Sequence, residues 1–398
     1  MAGVKRAIRG ARSMVRGKVA GVKIVRGEDG KAVAAPPREI NQVLAAIRKN
    51  AGENTVVRAN SVFQPPRLST GIFTLDMALC GGLPRGKIAD FSGPKHSGKS
   101  STLLKVIAQF QQRFPDEEVV FVDAEHTYDP VWAAVHGVNN DRLLIVKPDT
   151  AEQAVDLIDA LIRTYEVGLI GLDSIAAMVP IKVQETSAED NDTPGLHAKL
   201  VTKLVAKVNS ALLHESKRQH YPTMVCTNQW RAGIGKWAPP GQEALTSPGG
   251  KAYEHYVATR TIFKNHEKID KDDQGFDMLA YNEHSFKIDK NKFNAGIRAG
   301  EFQMMRRDHE SWELHTGEID DAAIMLTTAK RMGIYSGGGR AWKLELPDFE
   351  QTFGNADEAI EFLYANRDTK QLMRNHLIAL HAEKLGMPDY FIKSIYEM

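Results

Sequence analysis

The sequence predicts an α/β fold in which helices cover both faces of a mostly parallel central sheet. Over residues 68–308, short apolar runs alternate with amphipathic helical segments, a pattern typical of βαβ units. A glycine-rich octapeptide at residues 93–100 directly follows one apolar run and opens the next helical segment. Loops in this context bind phosphate through backbone N–H groups and the positive end of the helix. Together these observations predict a nucleotide-binding domain.

The individual elements follow from the spacing of the apolar residues. Helices are predicted at residues 100–114 and 151–164, the second opened by a capping box of Thr150 and Gln153. Five runs are predicted as strands, at residues 88–92, 119–122, 143–146, 169–172 and 224–227. Three further runs without long helices between them are expected to extend the sheet as an antiparallel edge, at residues 260–264, 285–289 and 301–305.

Breaks in composition and pattern divide the chain into four regions. We predict a basic flexible arm, an N-terminal module, the α/β core and a small helix-rich α/β C-terminal domain, at residues 1–35, 36–67, 68–308 and 309–398. In the N-terminal module, an amphipathic helix at residues 38–50 precedes a strand-like run at residues 54–58. In the C-terminal domain we predict three helices and a glycine turn, at residues 321–332, 356–365, 369–385 and 337–339.

Composition excludes several classes of protein. The chain has 398 residues, of which 42% are hydrophobic and 25% charged, as in ordinary soluble domains. Its longest nearly apolar stretch, residues 167–181, is interrupted by Asp173 and is shorter than the roughly 18 apolar residues of a membrane span. Two isolated cysteines, Cys80 and Cys226, can form neither a disulfide framework nor a zinc site. We predict both as buried core residues in a reducing compartment.

The net charge of +1 conceals a basic N-terminus. Residues 1–27 contain eight Lys or Arg and no Asp or Glu. Such a block often contacts nucleic acid, but it also fits a solvated tail without function or an organelle transit peptide, although Ser13 is its only serine. The sequence leaves these three interpretations open.

The phosphate loop indicates which groups would bind a nucleoside triphosphate with Mg²⁺. Lys99 would reach the β- and γ-phosphates, and the Ser100 hydroxyl would ligate Mg²⁺. Asp173, at the end of an apolar run, supplies the carboxylate that holds the waters of the metal. Glu125 follows the run 119–122 and is the best-placed carboxylate to orient water, but a Glu at such a position, taken alone, is more often a solvated loop residue. The predicted nucleotide-binding residues are Gly93, Pro94, Lys95, His96, Ser97, Gly98, Lys99, Ser100 and Ser101.

Read together, several segments resemble the RecA family of recombinases, from about Gln42 to near the C-terminus. They include the lead-in to the phosphate loop, the segment around Glu125 and the segment after Asp173, at residues 68–71, 75–76, 81–86, 123–126, 129–130 and 173–180. The resemblance implies a RecA-like P-loop ATPase core that uses ATP, with Glu125 as the catalytic carboxylate. It also implies that Asp129 contacts adenine and that Trp132 stacks on it.

The resemblance further implies two DNA-binding loops, at residues 230–248 and 181–194. Gln229 lies where the family places the glutamine that senses the γ-phosphate and signals to the first of these loops. Predicted DNA contacts are Arg231, Ile234, Lys236, Trp237, Gly249 and Gly250. The loop at residues 181–194 carries four acidic residues that would repel phosphate unless they turn away, namely Glu185, Glu189, Asp190 and Asp192.

By the same comparison, catalysis is shared between subunits. Lys290 and Lys292 resemble a lysine pair that reaches the triphosphate of the neighbouring subunit, whereas without the resemblance they would be two exposed lysines. The N-terminal helix and the strand around residues 56–57 resemble a polymerisation module that adds a strand to the next subunit's sheet. Repetition of such a head-to-tail contact builds a helical filament.

These features predict an ATP-dependent homologous recombinase that forms a filament on single-stranded DNA and exchanges strands with a duplex. Further expected partners are single-strand-binding and loader proteins, in the cytoplasm of a bacterial or phage-infected cell. One alternative is a ring-forming hexameric DNA helicase of the same superfamily. Another is a binding protein without turnover, against which the intact Lys99, Ser100, Glu125 and Asp173 argue. The basic arm and the absence of an acidic tail at residues 393–398 depart from the usual bacterial pattern and fit a viral or diverged member.

Overall fold

The computed structural model comprises two compact units, Met1–Val62 and Phe63–Met398. It describes residues 25–26, 32–33, 39–56, 66–185, 195–232, 245–246, 248–271, 277–293, 296–309, 311–339 and 341–398. The predicted division into four regions stays a prediction.

The first unit contains the predicted amphipathic helix, α1 (Ile40–Ala51). The helix ends at Gly52, whose φ is 95°. The predicted strand at residues 54–58 is wrong in its first part, because Glu53–Thr55 forms a 3₁₀ turn. This turn is closed by a hydrogen bond from the Thr55 N–H to the Gly52 carbonyl at 3.1 Å, which an extended strand cannot make. Residues 57–58 lie outside the described part of the chain. A pair of two-residue strands, Val25–Arg26 and Ala32–Val33, also belongs to this unit.

A nine-stranded sheet forms the centre of the second unit. Its strands are β1 (Ile88–Gly93), β2 (Glu118–Asp123), β3 (Leu143–Val146), β4 (Val167–Asp173), β5 (Thr223–Gln229), β6 (Thr259–Lys271), β7 (Asp277–Asn291), β8 (Ala299–Met305) and β9 (Ile319–Asp320). They lie in the order β9-β8-β7-β6-β1-β5-β4-β2-β3. Strands β1 to β5 are parallel, and β6 joins β1 in parallel. The predicted antiparallel edge is confirmed from β6 to β9, since β7, β8 and β9 each pair antiparallel with the preceding strand.

Helices cover both faces of this sheet. They are α2 (Phe73–Ala78), α3 (Lys99–Arg113), α4 (Pro130–Val135), α5 (Ala151–Ile162), α6 (Ile181–Glu185), α7 (Leu196–Lys217) and α8 (Gly250–Tyr256). On one face, Leu103 and Phe110 of α3 belong to the same buried cluster as Phe91 of β1. On the other face, Ile158 of α5 and Leu204 of α7 share a cluster with β2 and β4. Alternate residues of the central strands therefore face two separate cores.

The predicted helix cap at α5 is present in a modified form. The Thr150 hydroxyl accepts a hydrogen bond from the Gln153 N–H at 3.2 Å. The Gln153 side chain accepts from the Asp149 N–H at 2.6 Å, one residue earlier than a standard capping box requires. Both interactions stabilise the start of the helix.

Residues beyond the sheet form the predicted helix-rich region. Its elements are α9 (Ala322–Met332), β10 (Tyr335–Gly338), β11 (Ala341–Leu346), β12 (Phe349–Phe353), α10 (Ala356–Ala365), α11 (Arg367–Lys384) and α12 (Asp389–Tyr396). The three strands form an antiparallel sheet. The prediction of an α/β domain implied strands in this region but placed none of them. The predicted glycine turn at residues 337–339 is wrong for its first two residues, because Gly337 and Gly338 belong to β10 and pair with Trp342 and Ala341 of β11. Gly339 alone follows the strand, with φ of 61°.

Two further sequence predictions can be compared with the described residues. Cys80 and Cys226 are both buried and unbonded to each other, as predicted. None of the described helices is long and apolar enough to span a membrane.

Candidate active site

The phosphate loop borders a cavity of about 600 Å³. Residues 95–101, between the end of β1 and the first turn of α3, line one side of it. At Gly98 the backbone φ is 90°, and a Cβ added there would lie 2.5 Å from the ring of His284. Glycine is therefore required at this position both for its backbone conformation and for the close approach of β7.

Lys99 lies across the loop rather than out in solvent. Its Nζ donates hydrogen bonds to the Pro94 carbonyl at 2.5 Å and to the Ser97 hydroxyl at 3.2 Å. Burial lowers the pKa of Lys99, and the nearby carboxylates of Asp173 and Glu125 partly offset this effect. The ammonium group is thus held in the cavity between the loop and two acidic side chains.

Asp173 ends β4 beneath the first turn of α3. Its carboxylate accepts hydrogen bonds from Ser100 and from the Thr227 hydroxyl of β5. Burial raises the pKa of Asp173, and the hydrogen bonds and Lys99 act in the opposite direction. A hydroxyl and a carboxylate are the hard oxygen donors that Mg²⁺ prefers. The donor set of Ser100 and Asp173 therefore fits that ion.

Glu125 lies just beyond β2 at the edge of the same cavity. Because β2 pairs with β4, the two strand ends are adjacent, and the N–H groups of Ala124 and Glu125 donate to the Asp173 carbonyl at 2.8 and 3.2 Å. The Ser174 hydroxyl donates to the carboxylate of Glu125. Glu125 is exposed but oriented by this bond.

Gln229 ends β5, opposite Gly93 in the register of β1. It also lines the cavity. The following residue, Trp230, donates its N–H to the Gly93 carbonyl at 3.1 Å, and Asn228 donates through its side chain to the Pro248 carbonyl at 3.0 Å. Hydrogen bonds thus connect the start of the segment between residues 230 and 248 to the phosphate loop, and its end to β5.

The two predicted adenine contacts differ in their positions. Trp132 lines the cavity, whereas Asp129 caps α4, its carboxylate accepting from the Val131 and Trp132 N–H groups at 2.8 and 3.2 Å. The guanidinium of Arg306, the residue after β8, lies 4.5 Å from the centroid of the Trp132 ring. Arg306 lines the same cavity and was not predicted, because it belongs to no motif.

A second unpredicted group comes from the β6–β7 hairpin. His284 is buried, its Nδ1 lies 3.1 Å from the Ser97 carbonyl oxygen, and its ring stacks on Phe302. Burial lowers the pKa of His284 to about 4, so the neutral ring donates from Nδ1 to the phosphate loop. Asn265 of β6 and Asn282 of β7 also line the cavity. The sequence did not identify these three residues, because polar residues at alternating positions of a strand do not by themselves indicate a site.

Lys290 and Lys292 do not line this cavity of their own chain. Lys290 Nζ donates to the carbonyls of Glu254 and His255, and Lys292 Nζ donates to the His255 carbonyl at 2.9 Å. These carbonyls are at the C-terminus of α8, the negative end of the helix dipole. Both lysines are therefore held on the helix that follows the predicted DNA-binding loop.

The predicted DNA-binding residues are only partly described. Arg231 pairs through its backbone with Thr246, Gly249 is buried with φ of 107°, and Gly250 begins α8. The loop at residues 181–194 begins with α6. The side chains of Arg231 and Glu185 and all of Ile234, Lys236, Trp237, Glu189, Asp190 and Asp192 lie outside the described residues.

Comparison with known proteins identifies the family. Residues 38–309 match the family model of the RecA N-terminal domain. The chain belongs to the RecA family. Similar proteins named Protein RecA include one from Kineococcus radiotolerans, 35% identical over 67% of this chain and 74% of the relative. Another, from Salinispora tropica, is 33% identical over 89% of this chain and 94% of the relative. One from Bacillus licheniformis is 32% identical over 85% of this chain and 90% of the relative.

As a member of the RecA family, the chain is an ATP-dependent recombinase of DNA recombination and repair, and a DNA-dependent ATPase. The family uses ATP, binds DNA and forms homo-oligomeric filaments. The α/β fold predicted from the sequence is that of the family, and the predicted resemblance is confirmed.

Proposed function

We propose that this cavity hydrolyses ATP with Mg²⁺, and that hydrolysis controls a helical filament that pairs homologous DNA and exchanges strands. The observation that supports the proposal best is the convergence of four side chains on one cavity: Lys99 from the start of α3, and Asp173, Glu125 and Gln229 from the ends of three strands. Such a set of one cation, two carboxylates and one amide is suited to binding and cleaving a triphosphate.

In the proposed reaction, the backbone N–H groups of residues 95–101 bind the phosphates, and Lys99 leaves Pro94 to contact the β- and γ-phosphates. Ser100 and Asp173 would hold Mg²⁺, which neutralises charge on the phosphates when bound. Glu125, oriented by Ser174, accepts a proton from the attacking water. The new bond forms between water oxygen and γ-phosphorus as the bond to the β-phosphate oxygen breaks. Trp132 stacks on the adenine, and Asp129 contacts it.

We propose that Gln229 senses the γ-phosphate and transmits its presence to the DNA-binding loop. Its backbone pairing with Gly93 and the bond from Asn228 to Pro248 support this role, since both connect the nucleotide side to the loop. The DNA contacts would come from Arg231, Ile234, Lys236, Trp237, Gly249 and Gly250, through backbone-tracking charge and apolar wedges.

Lys290 and Lys292 would act in the neighbouring subunit. Their absence from their own cavity, within the described residues, supports a role between subunits. To reach a neighbour's triphosphate, both lysines must leave the α8 carbonyls. At the triphosphate they would stabilise the charge that develops on the transferred phosphoryl group. α1 and the segment after it would form the head-to-tail contact.

Further proposals concern partners and location. We propose that single-strand-binding and loader proteins assist filament formation, that the basic arm at residues 1–27 contacts DNA, and that the protein acts in the cytoplasm of a bacterial or phage-infected cell. The eight cations of the arm support the second of these proposals.

The direct test is strand exchange between circular single-stranded DNA and homologous linear duplex, with ATP and Mg²⁺. Joint molecules are expected with the unaltered protein and absent with Lys99→Ala as the matched control. Electron microscopy of the same mixtures should show open helical filaments. An absence of joint molecules at saturating protein, or closed rings on DNA, would contradict the proposal.

A further inference from the structure

A cavity of about 200 Å³ lies at the C-terminal end of α3, at the opposite end of this helix from the phosphate loop. Three segments form its walls, namely residues 67–69, the last turns of α3 and the residues that follow α12. We call it the α3 cavity. It is smaller than the roughly 300 Å³ at which pockets for drug-sized ligands begin, so its ligand would be small. None of the residues proposed above for ATP or DNA lines it.

Arg67 lines the α3 cavity as a buried cation without a carboxylate. Its side chain is 4% exposed, and its guanidinium forms no hydrogen bond or ion pair with any residue in the described ranges. The ring centroids of Phe293 and Phe391 lie 5.3 and 5.4 Å from its Cζ atom, and such contacts offset only part of the cost of burying a charge. Burial lowers the pKa of Arg67 to about 10, so the side chain stays charged at neutral pH.

The other buried arginines of the described part of the chain show what Arg67 lacks. Each of them contacts a carboxylate, in the pairs Arg85 with Glu117, Arg260 with Asp90, and Arg374 with Asp76. Buried charges in proteins are normally paired in this way. Arg67 departs from this rule, and an anion that enters the α3 cavity would supply the partner.

Further donors face the α3 cavity from α3 itself. Gln109, Gln112 and Arg113 line it, and their spacing places them on one side of the helix. The two glutamine amides form no hydrogen bond with a described residue, and the Nε of Arg113 is buried and unpaired. One terminal nitrogen of Arg113 donates to the carboxylate of Glu397 at 3.2 Å, but Glu397 is 65% exposed and can turn to solvent. The cavity thus offers two guanidinium groups and two amides to a ligand.

We propose that the α3 cavity binds a small tetrahedral oxyanion, inorganic phosphate or sulfate, between Arg67 and the side chains of Gln109, Gln112 and Arg113. Guanidinium groups bind such anions through pairs of parallel N–H donors. Donors from two different walls suit four oxygens in a tetrahedron better than the planar oxygens of a carboxylate. The bound anion would join the strand Arg67–Leu68 to α3, in the segment that leads into the phosphate loop.

Thermal unfolding in phosphate, compared with chloride at equal ionic strength and pH, tests the site. A ligand that binds only the folded chain raises the unfolding midpoint, by about 2 °C at ten times its dissociation constant. The rise should saturate with phosphate and with sulfate, and acetate should not produce it. Phosphate also stabilises proteins by general exclusion and can bind at the phosphate loop. Variants are therefore needed to assign the response.

Arg67→Met removes the cation and keeps a long side chain. It should lose the saturable response to phosphate. Lys99→Ala alters the phosphate loop and should keep the response, as should Arg163→Met, which replaces an exposed arginine at the end of α5 and is the matched control. A response that persists in Arg67→Met, or that disappears in Lys99→Ala, would overturn the proposal, since phosphate would then bind elsewhere.

Gln112→Glu tests the site without removing a buried group, because Gln112 is exposed. The new carboxylate would pair with the unpaired cation, so the unfolding midpoint in chloride should rise. The dissociation constant for phosphate should increase at least about tenfold, because a negative charge then occupies the cavity. Unchanged affinity in this variant would contradict the assignment. So would the absence of any saturable response in the unaltered protein, or an equal response to acetate.

Discussion

Arg374 of α11 donates a hydrogen bond to the carboxylate of Asp76 of α2, across 298 residues of sequence. Both side chains are buried. The same carboxylate accepts from the Ser69 hydroxyl at 2.8 Å and from the Thr70 N–H at 2.9 Å, in the segment that leads into the phosphate loop. This buried ion pair therefore helps to attach the C-terminal helices to the ATPase core, together with an apolar cluster shared by α2 and α11.

This pair predicts an asymmetric response to mutation. Arg374→Met leaves a buried carboxylate without its cation and should lower the free energy of unfolding by about 3 kcal/mol. The double variant Asp76→Asn with Arg374→Met should recover part of that loss, because no unpaired charge remains. Urea denaturation followed by circular dichroism measures both. Additive losses in the double variant would show that the two residues are not coupled in this way.

Substitutions of Lys99 and Glu125 should affect ATP turnover and filament stability differently. Lys99→Ala should abolish ATP turnover. Glu125→Ala should slow it by about 10²- to 10⁴-fold, while nucleotide and DNA binding persist and stable filaments accumulate. Phosphate release and DNA anisotropy measure the two properties separately. Rapid turnover by Glu125→Ala would remove Glu125 from its proposed role.

A mixing experiment tests whether Lys290 and Lys292 act between subunits. Lys292→Gln alone and Glu125→Ala alone should both be slow. In an equal mixture, about one contact in four joins an intact Glu125 to intact lysines from the next subunit, if head-to-tail assembly is random. DNA-dependent ATPase activity should then recover to about a quarter of the unaltered rate. Lys268→Gln, an exposed lysine on the same hairpin, is the control and should retain activity. No recovery in the mixture would contradict shared catalysis.

His284 predicts a specific loss of stability in acid. Its pKa is about 4 in the folded chain and about 6.5 in an unfolded one. Between these values the unfolded state binds more protons, so stability rises with pH and is lost as the pH falls from 6.5 to 4. Across this whole pH range, the free energy of unfolding should change by about 3 kcal/mol. His284→Asn should unfold more easily at pH 8 but depend less on pH in this window. Parallel pH profiles of the two proteins, measured by thermal unfolding, would contradict the prediction.

Much of the site could be predicted because its residues follow from local rules. The phosphate loop has a short, specific pattern that places Lys99 and Ser100 at the start of a helix. Asp173 and Glu125 could be placed because the carboxyl ends of neighbouring parallel strands meet at one edge of a sheet. The resemblance to the RecA family then distinguished Glu125 from an ordinary loop residue.

Other elements were missed for identifiable reasons. Helix α7 spans 22 residues and was not predicted, although Leu200, Leu204 and Val208 recur at helical spacing. The run at residues 54–58 was assigned by its β-branched residues, whereas a local hydrogen bond at Thr55 decided its conformation. The hairpin strands β6 and β7, of 13 and 15 residues, extend well beyond their apolar centres, because an antiparallel ribbon tolerates polar side chains.

The sequence by itself determined the α/β class, the phosphate loop and the carboxylates at the strand ends, because each depends on residues close together in the chain or on a regular repeat. Only the tertiary structure decided that His284 lies under the loop, that Arg306 stacks on Trp132, that α8 holds Lys290 and Lys292, and that Arg67 and Arg113 border one small cavity. These relationships join residues far apart in sequence. They depend on side-chain packing between elements, for which no local pattern exists.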